Sequence, residues 1–396
     1  MTGPESPLGK LWLPRGVRSQ DLSADVKNDL IHKIRREGPI TFADFMHNSL
    51  YGKYGFYSTG KAASGTTYRE GYHKGFLSNR TTPEQTPIFA RIFAVQLPYI
   101  WDQIGCPERF DFVEMGAGTG GFAKELLAIS KKDFPEFPGF AEVLRYTIVE
   151  ISPALLKLQR RVLAGERVNF VLGSVVKLPL KDIQGVFFSN ELVDSFPVHR
   201  VKLVNGKLRE IFVGVRDGKL VEAEGDASTP HLSDYLEEGN IQLREGEEAW
   251  INLNALSWIR RVAAALKRGY VVTIDYGDSS EELYRQLTIL YELFIDQSIS
   301  SLVNPGMNDL TAPVDFSAIE NEGRKFGLET QEFIDRSEYF ANLGLYEMIE
   351  DQLKKLSPEP QVRSNTLRLI DQARNLLKMK GWKILIQRNF QPQTTE

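Results

Sequence analysis

The stretch that most constrains how this chain can fold is Phe110 to Leu127, FDFVEMGAGTGGFAKELL. An apolar run, Phe112-Val113, meets Glu114 and then a loop holding Gly116, Gly118, Gly120 and Gly121. From Phe122 to Leu127 the apolar residues take the spacing of an amphipathic helix. Strand, glycine loop and helix in this order is how an open α/β sheet makes a nucleotide site. Glycines let the backbone turn tightly and let a ligand approach where a side chain would block it.

The alternation continues beyond this stretch. Strands at 144–149, 168–172 and 185–189, with helices at 120–131 and 153–163, predict a parallel sheet covered on both faces. After residue 200 the pattern changes to apolar/polar alternation with Asn205-Gly206 and Asp217-Gly218, the signature of an antiparallel insertion built from hairpins. A helix over 248–267 and a strand over 270–275 return the chain to the wound sheet, and 277–315 reads as a second, polar insertion. The end runs helix 316–326, strand 327–334, helices 337–349 and 361–378, and a last strand from Trp382 to Gln387. Toward the N-terminus, residues 1–19 read as a flexible arm and 21–38 as an amphipathic helix. Thr41 N-caps a second helix with Asp44 at the third position. Residues 51–78 show no period and suit a lid, and a helix over 83–104 is interrupted at Pro98.

Composition narrows the chemistry. With 396 residues and 42% hydrophobic content the chain can build a large core, and a net charge of −4 gives no field for nucleic acid. One cysteine, Cys106, excludes an internal disulfide framework and a cysteine zinc site. The five histidines form no HxxxH or HxH pair, so no metal is expected. No apolar run approaches the ~20 residues of a membrane span, and a cytoplasmic protein is the expectation.

Two cofactor classes can claim the loop. Gly116, Gly118 and Gly121 fit the dinucleotide pattern, and Gly116, Gly118 and Gly120 fit the GxGxG of S-adenosylmethionine (SAM) sites. Glu114, two residues before the first glycine, favours SAM: a carboxylate there suits the methionine amino group and repels a pyrophosphate. Glu150 at the end of the next strand is placed to take two ribose hydroxyls, which serves either cofactor. Asn190, Glu191 and Asp194 follow the fourth strand, where substrates bind in open sheets. Ser174 is either a partner for the adenine or a plain loop serine.

These residues also carry a family likeness. The chain resembles the MidA-like SAM-dependent methyltransferases in GPITFADFM (38–46), TTPEQTPIFARIFA (81–94), FVEMGAGTGGFAKELL (112–127), VEISPALLKLQ (149–159), SNELVDSFPVHR (189–200), IDYG (274–277) and PGMNDLTAPVDFSAI (305–319). The resemblance implies an α/β fold of class I, a Rossmann-like seven-stranded methyltransferase sheet with a helical N-terminal cap and an inserted substrate region. It divides the chain into the arm 1–19, a cap and lid over 20–106, and a methyltransferase domain over 107–396 with insertions at 200–245 and 277–315. It also implies methylation of a protein arginine, as in mitochondrial members that assist assembly of respiratory complex I. The chain departs from the family at Ser78-Asn79-Arg80, in the GAGTG loop, before the PG motif and at Pro313, mostly on the substrate side.

A guanidinium acceptor is protonated at working pH, and a pair of carboxylates can orient one nitrogen at the methyl group. Glu191 and Asp194 are candidates for that clamp, with Asn190 positioning substrate or cofactor. Glu191 can equally cap a turn and Asp194 a following segment. His199 is a candidate base or a packing histidine; Asp309, Thr311 and Asp315 line a cleft, or Asp315 caps a helix. Tyr54, Phe56 and Tyr57 close over the cofactor or pack together, and Thr81, Thr82 and Glu84 approach it by resemblance. Three functions follow: an arginine methyltransferase acting on protein, a small-molecule O- or N-methyltransferase, and a SAM-binding assembly factor without turnover. Adenine methylation is disfavoured, because NELVD (190–194) replaces the loop that chemistry uses.

Overall fold

The structure, a computed structural model, describes residues 19–59, 86–131, 134–285, 301–378 and 380–390. Residues 1–18 of the expected arm, and Ser78 to Glu84, lie outside the described residues. The N-terminal part contributes one short strand, β1 (Ile40–Thr41), between the helices Ser19–Glu37 and Phe42–Tyr51. Then come β2 (Phe110–Met115), β3 (Leu144–Glu150), β4 (Val168–Leu172) and β5 (Ile183–Asn190). The chain leaves this series for β6 (His199–Val204), β7 (Lys207–Arg216), β8 (Lys219–Asp226) and β9 (Glu248–Ile251). It returns with β10 (Leu266–Asp278), β11 (Val314–Asp315), β12 (Glu329–Asp335) and β13 (Trp382–Asn389).

The large sheet runs β12-β13-β10-β5-β2-β3-β4, with β11 alongside the end of β10. β2, β3, β4, β5 and β10 run parallel to one another, whereas β13 runs against both β10 and β12. The central strands are buried on both faces, β2 along its whole length, with Asp111 and Glu114 buried among its apolar residues. One face packs an aromatic layer in which Phe122 and Phe188 stack at 4.7 Å, joined by Phe89, Phe93 and Phe340. The other packs the helices Leu253–Ala265 and Phe316–Lys325, with Trp258 at its centre.

The second sheet is antiparallel, β1-β7-β6-β9 with β8 on β7. Its hairpins turn where Asn205-Gly206 and Asp217-Gly218 predict, all four residues at positive φ. The structure differs from the sequence reading at the expected helix 337–349, which is two helices, Arg336–Asn342 and Leu345–Lys354, parted at Gly344, and at the element that opens the expected helix 248–267. The start of the expected 248–267 helix is β9, and the helix begins only after Asn252, whose side chain accepts the Ala255 N–H at 2.9 Å. The expected interruption at Pro98 is present: Thr86–Ala94 ends before it, and a second helix, Leu97–Gln103, carries Pro98 in its first turn, where a missing N–H costs no hydrogen bond. Thr41 caps as expected, its hydroxyl accepting the Asp44 N–H at 3.1 Å.

Candidate active site

The carboxyl ends of β2, β3, β4 and β5 converge beside the glycine loop, at the point where the chain switches from one side of β2 to the other. Gly116 has φ +74°, and a Cβ there would stand 2.9 Å from Leu192 Cδ1, so the loop lies flush on the segment after β5. Gly120, at φ +81°, precedes the helix Gly121–Ser130 and packs on Gln159.

Glu150 is buried, and both its oxygens are already oriented. Oε1 accepts the Ser152 N–H at 2.8 Å and Oε2 accepts an amide hydrogen of Gln159 at 2.9 Å. The next residue, Ile151, and Leu172 at the end of β4 are exposed apolar side chains. Ser174 is half-buried before the turn Val175–Lys177, and its hydroxyl makes no capping bond there. Glu114 is the surprise. It is buried under Tyr146, whose hydroxyl donates to it at 2.7 Å. Burial pushes its pKa up to about 8, opposed by the Tyr146 hydrogen bond and helped by the charge on Glu150. The carboxylate expected at this position is therefore a largely protonated acid near neutral pH, because the strand buries it too deeply to stay charged alone.

On the other side of the loop, Asn190 ends β5 and Glu191 follows at φ +48°, a left-handed conformation that strains a residue with a side chain. Glu191 is buried, and its N–H donates to the Ile274 carbonyl at 2.8 Å. Asn190 Oδ1 and Glu191 Oε1 are buried acceptors with no hydrogen-bond partner among the described residues. The turn after them is fixed by a residue that had drawn no role from the sequence. Asp275, fully buried on β10, accepts the Val193 N–H at 2.9 Å and the Asp194 N–H at 3.2 Å through Oδ2. Asp194 is itself buried, and its carbonyl accepts the Ala312 N–H at 2.8 Å. Arg336 was also missed. It is wholly buried over the Trp382 ring at 5.0 Å, and burial holds its pKa down to about 10 against the nearby Glu191 and Asp275.

The segment after the helix Phe42–Tyr51 straps these parts together. Tyr51 Oη donates toward the carbonyl and hydroxyl of Ser195, each at 2.9 Å, and its ring stacks on Tyr57 at 5.4 Å. Tyr57 Oη donates to Asp309 at 2.7 Å, while the Tyr57 carbonyl accepts the Ser152 hydroxyl at 2.7 Å. Phe56 is buried and Tyr54 half-buried beside Lys53, while Thr311 is half-buried after Asp309. His199 lies apart from the glycine loop, on β6 of the second sheet, with Nδ1 2.7 Å from Glu210. Asp315 caps the helix Phe316–Lys325 and takes hydrogen bonds from Ser280 and Tyr235.

The arrangement fits S-adenosylmethionine. The loop holds Gly116, Gly118 and Gly120 at positive φ, an oriented acid stands near exposed apolar side chains, and buried acceptors lie beyond the loop. Bound, this cofactor supplies a methyl group made electrophilic by a sulfonium. The chain's own task is to hold the reactants in line and keep water out. An open sheet in this strand order, with β13 reversed and this loop at its switch point, defines the class I SAM-dependent methyltransferases. A family described as "Putative S-adenosyl-L-methionine-dependent methyltransferase" matches residues 92–334. The chain belongs to that family: it is a methyltransferase whose cofactor is S-adenosylmethionine.

Among curated relatives, the Drosophila melanogaster "Protein arginine methyltransferase NDUFAF7 homolog, mitochondrial" is 27% identical over 322 residues, 73% of this chain and 68% of that protein. The Homo sapiens "Protein arginine methyltransferase NDUFAF7, mitochondrial" is 26% identical over 383 residues, 88% of this chain and 80% of that one. A Burkholderia thailandensis protein, solved with S-adenosyl-homocysteine bound, shares the fold at TM-score 0.72 and 23% identity, with 95% of each chain covered. The expectation of a cytoplasmic protein is overturned, since these relatives are named as mitochondrial. Net charge and the lack of long apolar runs describe a folded chain's surface and core; they carry no information on compartment.

Proposed function

We propose that this methyltransferase acts on a guanidinium nitrogen of an arginine in a protein. The reading rests on the pair of buried acceptors, Asn190 Oδ1 and Glu191 Oε1, which lack partners among the described residues at the end of β5. A buried acceptor left unsatisfied costs about 1–3 kcal/mol, so such a pair is expected to meet a donor-rich ligand. A guanidinium presents five N–H donors and no acceptor. Glu191 and Asp194 would orient it, with Asp275 fixing the turn between them and Asn190 completing the set. On the cofactor side, Glu150 would take the ribose hydroxyls, Ser174 the adenine and Glu114 the methionine amino group, along the loop of Gly116, Gly118 and Gly120. The N-terminal cap over 20–106 and the insertions at 200–245 and 277–315 would frame the acceptor. The names of the curated relatives, protein arginine methyltransferases, support the same substrate class.

Incubation of a host lysate with tritiated S-adenosylmethionine, followed by mass spectrometry, tests the acceptor. Label is expected in protein, on arginine. Label confined to small metabolites would end the protein-arginine reading, and binding without any labelling would favour an assembly factor. Glu191→Gln is expected to lower turnover about 10²-fold, the scale for losing a transition-state contact, without changing cofactor affinity measured by calorimetry. Full activity in that variant would remove Glu191 from the clamp.

A further inference from the structure

Gln159, on the helix Pro153–Val162, is fully buried. Its amide donates one hydrogen to the Gly118 carbonyl at 3.0 Å and one to Glu150 Oε2 at 2.9 Å. Both donors of the carboxamide are thus spent, one on the glycine loop and one on the acid. A flipped amide would set its oxygen against two acceptors, so the orientation is forced. The remaining atom, Oε1, is buried with no partner among the described residues. An amide that only filled space here would be worse than leucine, because it buries an unsatisfied oxygen. The backbone of Gly120 also rests on this residue: a Cβ there would sit 3.4 Å from Gln159 Cα.

We propose that Gln159 is a positioning residue for cofactor binding, locking the glycine loop and the Glu150 carboxylate into one rigid unit without touching the ligand. The inference rests on the reading of Glu150 as the ribose acid. Without the lock, the acid can rotate away from the hydroxyls and the loop can shift at Gly118, so the ligand must order both on binding. The titratable groups facing Gln159 are Glu150 directly and, through it, Glu114 on β2 with Tyr146 on β3. Lys157 and Arg160 on its own helix are exposed.

The test is the affinity for S-adenosylhomocysteine, by calorimetry on the full chain, with every variant compared with wild type at the same pH. Gln159→Leu is expected to weaken binding about tenfold, the worth of a hydrogen bond to a charged group. Because it acts partly through Glu150, Gln159→Leu should weaken binding by a smaller factor in the Glu150→Ala background than in wild type, the remainder being its hold on the Gly118 carbonyl. Gln159→Glu sets a second carboxyl against Glu150. It should bind about tenfold more weakly than wild type at pH 8 and recover by pH 5.5, where a shared proton restores a donor. A residue that merely fills space would give no such recovery. Wild-type affinity in Gln159→Leu, or no pH-dependent recovery in Gln159→Glu, overturns the proposal provided Glu150→Ala binds weakly. Unchanged affinity in Glu150→Ala would instead overturn the ribose reading itself. If Gln159→Leu does not fold, the pH series on Gln159→Glu decides.

Discussion

At the scale of single residues, Glu114 makes a prediction with a definite sign. Its pKa in the folded protein stands near 8, above its usual 4.5, so the folded state holds a proton that the unfolded chain has released. Stability from this group is present below the ordinary glutamate range and is lost as pH rises through about 8. A cationic ligand beside Glu114 favours its ionised form. Cofactor binding at pH 7 should therefore release a proton, and affinity should rise from pH 6 to 8 and then level off. Calorimetry in buffers of different ionisation heat measures the release; none in wild type, or the same release in Glu114→Gln, would separate Glu114 from the ligand. This scale also marks where the sequence stops being legible. Glu114, Glu150 and Asn190 announce themselves by standing next to glycines or strand ends. Asp275, although it ends the expected strand 270–275 within IDYG, and Arg336 show no role of their own in the sequence, because their roles come from partners brought to them by the sheet. Gln159 sat in a recognised motif, VEISPALLKLQ, but its spacing from Ser152 reads only as a buried helix position.

At the scale of elements, the helix Phe42–Tyr51 and the turns that follow it strap the site through Tyr51 and Tyr57. Tyr57→Phe removes only the hydroxyl that binds Asp309. Loss of one such bond, worth about 1 kcal/mol, should speed amide hydrogen exchange in residues 51–59 about fivefold, and mass spectrometry can read that. Unchanged exchange would mean that stacking on Tyr51 and the Ser152 bond hold the strap alone. Thr41→Ala at the start of the same helix should cost about 1 kcal/mol in urea unfolding, the usual worth of an N-cap. Retained stability would show the cap to be redundant with β1. Elements with strong periodicity were readable to within a few residues, including the last strand. One exception was β9, whose four residues alternate too briefly to stand out before an apolar helix; Asn252, three residues ahead of Ala255, was the signal that separates them.

At the scale of the whole molecule, Arg200 is the residue on which the second sheet turns. It is fully buried, bonds Glu248 at 2.9 Å and pairs with Glu222, and lies over the rings of Phe42 at 5.0 Å and Trp250 at 5.4 Å. Removing it strands a buried carboxylate and opens the contact with the N-terminal helix. Arg200→Met is expected to lower unfolding free energy by about 3–5 kcal/mol, measured by urea denaturation; a loss below about 1 kcal/mol, typical of a surface pair, would contradict its core role. The sequence pattern showed an insertion with hairpins, but not that β1 completes it. That pairing, Ile40 to Val213, has a consequence for synthesis. As the chain emerges, Ile40 and Thr41 have no strand to join until β7 has been made, so the N-terminal helices await the middle of the chain before they can dock. A fragment ending before β7 should be a client for chaperones, and the cap should be among the last parts of the enzyme to close.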